Sequence, residues 1–273
     1  MQAQHGKTVL ITGSTDGVGR MVAMRLGEAG ARVLVHGRDK ARGDSVVKAI
    51  EAGGGAAEFL TADLASLADV GNLADAVRQT ADRLDILINN AGIGSDGAAG
   101  KRQTSRDGHE LRFAVNYLAG FLLTHSLLPL LKESAPARIV NVASIGQQAL
   151  DFEDIHLTRF YSGTRAYGQS KLAQILFTID LADELRGSGV TVNALHPATY
   201  MDTTMVRQAG GTPRSTVAEG AEAILNLAVS PGLEGRSGLF FNGLAEARAD
   251  AQAYDANARQ RLQAISRELT GLF

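Results

Sequence analysis

The amino-acid sequence predicts an α/β fold in which one doubly wound parallel sheet of about seven strands is covered by helices on both faces. In the first half of the chain, short β-branched runs alternate with longer amphipathic stretches, which is typical of βαβ units. Runs such as residues 9–11 and 86–88 are continuously apolar rather than alternating. Such strands are expected where both faces of a sheet are buried.

Seven segments carry the strand pattern, and helices are expected to fill the intervals between them. The strands are predicted at residues 8–12, 32–36, 56–61, 86–89, 139–143, 191–195 and 239–241. Residues 255–271 place Leu262, Ile265 and Leu269 at helical spacing, which predicts a last amphipathic helix. No internal repeat or low-complexity block interrupts the pattern, so residues 1–273 are expected to form one domain.

Composition and charge argue against several classes of function. A net charge of -2 disfavours binding to nucleic acid, whose affinity for proteins depends on basic side chains. The chain has no cysteine, and its six histidines do not lie at metal-ligand spacing, so neither a disulfide nor a metal site is expected. No apolar run reaches the roughly 18 residues expected of a membrane span, and we expect a cytoplasmic protein.

A glycine-rich loop follows the first predicted strand and precedes a stretch with helical periodicity. It reads Thr12-Gly13-Ser14-Thr15-Asp16-Gly17-Val18-Gly19. Three glycines allow a tight turn and a close approach of the backbone to a pyrophosphate, and the N–H groups of a helix start favour an anion. The spacing differs from the commonest dinucleotide fingerprint, and a plain turn between strand and helix is the alternative. The order of the elements favours a dinucleotide site.

The end of the second strand indicates which dinucleotide is bound. NAD-binding proteins of this architecture place an acidic residue there, on the ribose hydroxyls. This chain has Arg38, which can pair with a 2′-phosphate, and the Ser14 hydroxyl could add a donor. Asp39 leaves an alternative open: as a helix N-cap it would be structural, but turned inward it could take the NAD role. The sequence favours NADP(H), with NAD(H) as the alternative.

Four side chains in the middle of the chain could carry acid–base chemistry. Tyr167 and Lys171 lie four apart in a helical stretch and share a face. A phenol has a pKa of about 10, and a nearby ammonium would stabilise its anion. The alternative is an ordinary solvated helix face. Ser144 follows the fifth strand, where it could orient a substrate oxygen or cap a helix, and Asn116 is a polar residue in an apolar helical run.

Taken together, these motifs resemble the short-chain dehydrogenase/reductase family across nearly the whole chain. Residues 12–19 match its TGxxxGxG loop, and the dipeptide Asp63-Leu64 matches its adenine-contacting pair. The NNAG turn is matched by residues 89–92, which include Asn90, Ala91 and Gly92. Asn116, Ser144, Tyr167 and Lys171 match the catalytic tetrad. The resemblance implies a Rossmann-like fold that binds NAD(P).

The resemblance also implies roles for the tetrad. Tyr167 would donate or accept the proton, and Lys171 would lower its pKa and hold the nicotinamide ribose. Ser144 would position the substrate oxygen, and Asn116 would support a water relay. Pro197 and Thr199 fall where the family contacts the nicotinamide, although the usual Pro-Gly reads Pro197-Ala198 here.

Two segments near the predicted site correspond to an insert that is shorter in some members of the family and to the place where the family has a mobile substrate lid. Residues 145–166 form a long, apolar-rich insert similar to that of the retinol-dehydrogenase-like branch. This insert could wall a lipophilic substrate pocket, or it could be a turn that packs on the body of the protein. Residues 200–217 contain methionines and flanking glycines, a composition that suits a mobile substrate lid and also a surface loop.

The leading hypothesis is therefore an NADP(H)-dependent oxidoreductase that interconverts a carbonyl and a primary or secondary alcohol by hydride transfer. The alternatives are epimerisation, dehydration or enoyl reduction on the same fold, and a non-catalytic dinucleotide sensor. A homodimer or homotetramer is expected, because the helices near residues 105–131 and 167–186 carry more apolar surface than one sheet face needs.

Overall fold

Seven parallel strands and one antiparallel strand build a single sheet in the computed structural model, which describes residues 2–96 and 100–272. The strands are β1 (Thr8–Ile11), β2 (Arg32–Gly37), β3 (Ala56–Thr61), β4 (Ile86–Asn89), β5 (Ala137–Val142), β6 (Val190–His196), β7 (Phe240–Asn242) and β8 (Ala245–Ala247). Their order is β3-β2-β1-β4-β5-β6-β7-β8. The order in which strands are added to the sheet reverses between β1 and β4, which is the topological switch point where such sheets bind ligands. The predicted doubly wound sheet is confirmed.

The sheet has eight strands, one more than expected. After β7 the chain turns at Gly243, whose φ of 61° lies in the left-handed region, and β8 pairs back antiparallel. The two alanines and one glutamate of β8 are largely solvent-accessible and are too few to show a period, so periodicity could not reveal the strand. The dipeptide Gly243-Leu244, a two-residue turn with glycine at its first position, could have done so.

Helices cover both faces of the sheet. One apolar layer contains α1 (Gly17–Glu28), α2 (Lys40–Ala52) and α8 (Val217–Val229). The other layer contains α3 (Leu67–Thr80), α5 (Ala119–Glu133), α6 (Gly163–Glu184) and α9 (Ala256–Thr270). A short helix, α4 (Leu111–Phe113), leads into a π-helical turn (Ala114–Leu118) before α5, and α7 (Thr204–Gln208) follows β6.

Side-chain caps define where the helices that frame the site begin. The carboxylate of Asp16 accepts a hydrogen bond from the backbone N–H of Gly17 at the start of α1. Asp39 caps α2 in the same way, and Ser162 caps α6. Each cap satisfies a backbone N–H that has no partner within its own helix.

The last helix, α9, covers apolar surface of the helices that were expected to form a dimer interface. Leu262 of α9 is 1% exposed and belongs to the same apolar cluster as α5 and α6. The Tyr117 and Ser266 hydroxyl oxygens lie 2.7 Å apart, and Arg259 Nε donates to Asp180 Oδ1 of α6 at 3.0 Å. The apolar surface therefore has a partner within the chain. The homodimer or homotetramer stays a prediction.

The helical run Leu111–Glu133 is long and apolar enough to cross a membrane by length and composition alone. Its most apolar window has a mean hydropathy of 1.4, but 72% of that window is buried inside the protein. Such burial is characteristic of a core helix, and α5 packs accordingly against α3.

Candidate active site

The carboxyl ends of β1, β4, β5 and β6 meet at one edge of the sheet. The glycine loop follows β1, Asn90 follows β4, and Ser144 comes shortly after β5. The helix α6 carries Tyr167 and Lys171 to the same edge, because the Lys171 ammonium reaches the carbonyl oxygen of Val142 at the end of β5. Residues far apart in sequence thus converge where open parallel sheets bind their ligands.

The proposed proton-transfer residue, Tyr167, lies next to Ser144 and Lys171. The Ser144 hydroxyl and the edge of the Tyr167 ring both lie beside Gly146, and Ser144 Oγ accepts from the Gly146 N–H at 3.0 Å. The Lys171 Nζ lies 5.7 Å from the centroid of the Tyr167 ring. Burial raises the pKa of Tyr167, and the neighbouring Ser144 side chain only partly opposes that effect. Contrary to expectation, the pKa of this tyrosine is not lowered in this arrangement, because desolvation of the phenolate outweighs the neighbouring groups.

Lys171 is buried on the inner face of α6. Its Nζ donates to Val142 O at 2.8 Å and to Gln174 Oε1 at 3.0 Å. Burial lowers the pKa of Lys171 to about 7. The side chain is therefore held in one position by two uncharged acceptors, and it changes charge near neutral pH. The sequence did not indicate a role for Gln174, although this residue lies one helical turn after Lys171.

Asn116 lies in the π-helical turn, buried beneath the segment that follows β4. Its Oδ1 accepts from the backbone N–H of Ile93 at 2.8 Å, and its Nδ2 donates to Ile93 O at 3.2 Å. Nδ2 also donates to Ser170 Oγ at 2.9 Å, and Ser170 Oγ donates to the Tyr167 carbonyl oxygen at 2.7 Å. The amide thus connects the β4 end to the catalytic helix. A π-helical turn is uncommon and is often found at functional sites.

The glycine loop packs tightly against the turn after β4. A Cβ on Gly13 would lie 2.8 Å from Ala91 Cα, and a Cβ on Gly19 would lie 2.4 Å from Gly13 O. The Asn90 amide donates to Thr12 O at 2.9 Å and to Gly13 O at 3.0 Å. Both glycines are therefore required by close packing, and Asn90 holds the loop in shape.

Ser14 differs from its expected role as a donor to the cofactor. Its hydroxyl is fully buried, donates to Ile11 O at 2.8 Å and accepts from the His36 N–H at 2.9 Å. It anchors the loop to β2 and is not available to a 2′-phosphate. The imidazole of His36, which the sequence did not single out, supports the same loop because its Nδ1 accepts from the Gly13 N–H at 3.1 Å.

We expect the stability of the protein to depend on pH because His36, which supports the glycine loop, is buried. Burial lowers the pKa of His36 to about 4, against 6.5 for a free histidine. As the pH falls, His36 is therefore protonated in the unfolded chain before it is protonated in the folded protein. The free energy of unfolding decreases as the pH falls from 6.5 towards 4. Between pH 7 and pH 5, the free energy of unfolding should fall by about 2 kcal/mol more in the parent than in His36→Asn.

Urea unfolding followed by circular dichroism at both pH values measures this difference. The variant His5→Asn changes an exposed histidine and is expected to keep the pH dependence of the parent. Equal losses of stability in the parent and in His36→Asn would contradict the assignment.

The residues expected to select the cofactor lie at the end of β2. Asp39 Oδ1 accepts from the Arg42 N–H at 3.0 Å, and Oδ2 accepts from Arg42 Nε at 2.9 Å. It is therefore engaged as the N-cap of α2, the structural alternative considered from the sequence. The side chain of Arg38 is 71% exposed and lies 3.9 Å from Asp63 Oδ1. The adjacent Leu64 is buried in the core.

The segment after β6 lies over the glycine loop. His196 Nε2 lies 3.1 Å from Thr199 Oγ1, and this contact orients the Thr199 side chain. Pro197, between these two residues, is buried. Thr204 Oγ1, at the start of α7, donates to Asp16 Oδ2 at 2.8 Å. The predicted lid thus contacts the loop directly, and its mobility stays a prediction.

Most of the insert at residues 145–166 packs on the body of the protein. Leu150 and Leu157 are buried, and Phe152 and Ile155 pack against the core. Phe160 is 93% exposed. The packed-turn alternative therefore describes the larger part of the insert.

The residues present fit a bound dinucleotide. A Cβ on Gly92 would lie 3.2 Å from Asn116 Oδ1 and 3.4 Å from Lys171 Nζ, so this glycine keeps space beside the ammonium. The first turn of α1 carries no acidic side chain, and the Asp16 carboxylate at its N-terminus is engaged by the Gly17 N–H and by Thr204 Oγ1.

Comparison with known proteins agrees with this geometry. The model of the short chain dehydrogenase family matches residues 7–213. The chain belongs to this family. Retinol dehydrogenase 13 of Homo sapiens is 38% identical over 288 residues, which cover 98% of this chain and 85% of that protein. The resemblance to the retinol-dehydrogenase-like branch is confirmed.

Solved structures of similar proteins agree with the fold of this short-chain dehydrogenase. An uncharacterized protein from Mycobacterium paratuberculosis superposes with a TM-score of 0.81 at 28% identity, covering 99% of this chain and 96% of that chain. Pseudomonas aeruginosa RhlG, in an active-site complex with NADP, has a TM-score of 0.72 at 30% identity, with coverages of 88% and 95%. Family membership identifies this short-chain dehydrogenase as an NAD(P)-binding oxidoreductase.

Proposed function

We propose that the protein is an NADP(H)-dependent oxidoreductase that interconverts a carbonyl and a primary or secondary alcohol, with Tyr167 as the general acid and base. The observation that carries this proposal is the position of the Tyr167 phenol, which lies beside Ser144 and the buried Lys171 at the ligand-binding edge of the sheet. A phenol held in this way can give a proton to a substrate oxygen.

The mechanism follows from the protonation states of these side chains. The nicotinamide supplies or accepts the hydride when it is bound. In reduction, the Ser144 and Tyr167 hydroxyls hold the carbonyl oxygen, and Tyr167 transfers its proton to that oxygen as it gains negative charge. The raised pKa of Tyr167 keeps the phenol protonated at neutral pH, which suits this donor role. In oxidation the same phenolate oxygen takes the proton back.

Lys171 stabilises the tyrosinate that remains after proton donation. Its Nζ is fixed by Val142 O and Gln174 Oε1 and cannot turn away into solvent. Because its pKa is lowered to about 7, it can also exchange a proton in the neutral range. The chain of hydrogen bonds from Asn116 through Ser170 holds α6 in register with the turn after β4.

The positions of two side chains at the end of β2 support the preference for NADP(H). Asp39 is occupied by Arg42 and the start of α2, so its carboxylate is not directed to the adenosine ribose. Arg38 keeps an exposed guanidinium that can pair with a 2′-phosphate.

A lipophilic substrate is supported by exposed apolar side chains in the segments that flank the catalytic residues. Ile145, which follows Ser144, is 49% exposed, and Met205 of α7 is 40% exposed. Relatives named retinol dehydrogenases support the same substrate class. Exposed apolar groups near a catalytic centre favour apolar ligands, because binding removes their surface from water.

A panel of aldehydes, ketones and alcohols, followed by NADPH and NADH absorbance in both directions, tests the proposal. We expect oxidation of one NADPH for each alcohol formed, with identification of the alcohol by mass spectrometry. Oxidation of NADPH with a saturated carbon–carbon bond as the product would instead indicate enoyl reduction.

A further inference from the structure

The guanidinium of Arg112 is buried between two segments that border the candidate active site. Its side chain is 1% exposed. Nε donates to Gly94 O at 2.8 Å, and Nη2 donates to Asp96 Oδ2 at 2.5 Å, both in the loop after β4. Nη1 donates to the Tyr161 hydroxyl at 2.8 Å, in the insert that precedes α6. One side chain therefore connects the loop to the insert.

Glu110 completes the cluster from the start of α4. Its side chain is also 1% exposed, and its Oε1 lies 3.6 Å from Arg112 Nη1. The Tyr161 hydroxyl donates to Glu110 Oε1 at 3.0 Å, while Glu110 Oε2 accepts from the Phe113 N–H at 2.7 Å. Burial raises the pKa of Tyr161 to about 12, so this phenol stays protonated and links the two charged groups.

A buried ion pair is not an efficient way to stabilise a fold, because both charges are removed from water. This pair instead fixes the relative orientation of the segments that it joins. A planar guanidinium with several donors fixes the relative positions of everything it contacts, as a packed leucine or methionine would not. The positive φ of 50° at Asp96 is consistent with a loop conformation that these bonds hold in place.

Each connected segment leads to a functional group. In the loop, Ile93 exchanges two hydrogen bonds with Asn116, and a Cβ on Gly94 would lie 3.3 Å from Met205 Cγ in the predicted lid. In the insert, Tyr161 is followed closely by the N-terminus of α6, which carries Tyr167. The loop, the lid and the insert all border the catalytic residues.

We propose that Arg112, Glu110 and Tyr161 form a positioning cluster that sets the separation of the loop at residues 92–96 from the insert, and thereby determines the size of substrate that the cleft accepts. This inference rests on the proposed function. None of the three residues contacts the reacting atoms, so each acts through the walls of the cleft.

The variant Tyr161→Phe removes only the hydroxyl that joins Arg112 to Glu110. A bulky substrate can order a loosened wall through its own contacts, but a compact one cannot. We therefore expect the KM of butanal to rise about 5- to 10-fold, in line with the loss of a buried hydrogen bond, and the KM of dodecanal to rise less than about 2-fold. The Kd of NADPH should remain within about 2-fold of the parent value.

A second variant and a matched control separate positioning from general loss of structure. Arg112→Lys keeps the charge beside Glu110 but cannot contact Gly94, Asp96 and Tyr161 together, so it should change the same KM ratio. Tyr254→Phe removes a phenol hydroxyl that accepts from the Ala249 N–H outside this cluster, and it should leave the ratio unchanged.

Hydrogen–deuterium exchange of residues 92–96 provides a readout that needs no turnover. Exchange should be faster in Tyr161→Phe and Arg112→Lys than in the parent and in Tyr254→Phe. An unchanged exchange rate together with an unchanged KM ratio would overturn the proposal, and so would a loss of NADPH affinity in step with the rise in KM. If the parent reduces no aldehyde, the proposed function fails, and the exchange rates alone decide whether the cluster holds the loop.

Discussion

Replacing Tyr167 with phenylalanine is expected to lower kcat by about 1,000-fold, within the range of roughly 100- to 10,000-fold that a positioned general acid contributes. The substitution removes one oxygen and keeps the ring that packs beside Lys171. Without the phenol, the hydride would have to reach a carbonyl whose oxygen receives no proton from the protein. Steady-state kinetics at saturating NADPH measures the effect.

The same variant should still bind NADPH, with a Kd within about 2-fold of the parent value, because the glycine loop and the turn after β4 do not depend on the Tyr167 hydroxyl. Fluorescence of bound NADPH gives this Kd without turnover. The control Tyr254→Phe should keep the kcat of the parent. If Tyr167→Phe retained more than about a tenth of the parent kcat, another group would have to supply the proton.

Replacing Arg38 with serine is expected to lower kcat/KM with NADPH by about 10- to 100-fold and to change kcat/KM with NADH by less than about 2-fold. The range corresponds to the loss of a charge-assisted hydrogen bond of about 1.5 to 3 kcal/mol. NADH lacks the 2′-phosphate, so the guanidinium has no anion to pair with in that complex. Kinetics with both nucleotides at a fixed carbonyl concentration measures the ratio.

Arg32→Ser is the matched control, because it removes an arginine from the opposite end of the same strand. Arg32 pairs with Glu58 at 3.1 Å on the surface, away from the carboxyl end of β2. Its loss should leave the nucleotide preference unchanged. A similar fall in kcat/KM with NADH and NADPH in Arg38→Ser would assign Arg38 to the fold, and the basis for the NADP preference would have to be sought elsewhere.

The architecture was predictable because its signals are local. Continuously apolar strands, the glycine loop and the order of the motifs each depend on short stretches of chain, and these stretches fold as their periodicity predicts. The addition of β8 shows the limit of that argument. A three-residue strand whose apolar side chains are two alanines is too short to show a period, and its pairing with β7 defines it.

The candidate site was predictable in its residue types but not in its partners. Tyr167 and Lys171 could be paired from their helical spacing, whereas Gln174 and Val142, which hold the ammonium, could not be assigned to it. Ser14 shows the reverse error. A hydroxyl in a glycine loop looked available to the cofactor, but its neighbours in β2 occupy it.

The sequence by itself determined the family, the doubly wound parallel sheet and the candidate residues for proton transfer, because these properties depend on side-chain chemistry and spacing along the chain. Only the tertiary structure decided the raised pKa of Tyr167, the burial of Arg112 with Glu110, and the packing of α9 against α6. The physical reason is that desolvation and hydrogen bonding depend on which groups meet in space. Residues such as Gly94, Arg112 and Tyr161 meet only when the whole sheet has folded.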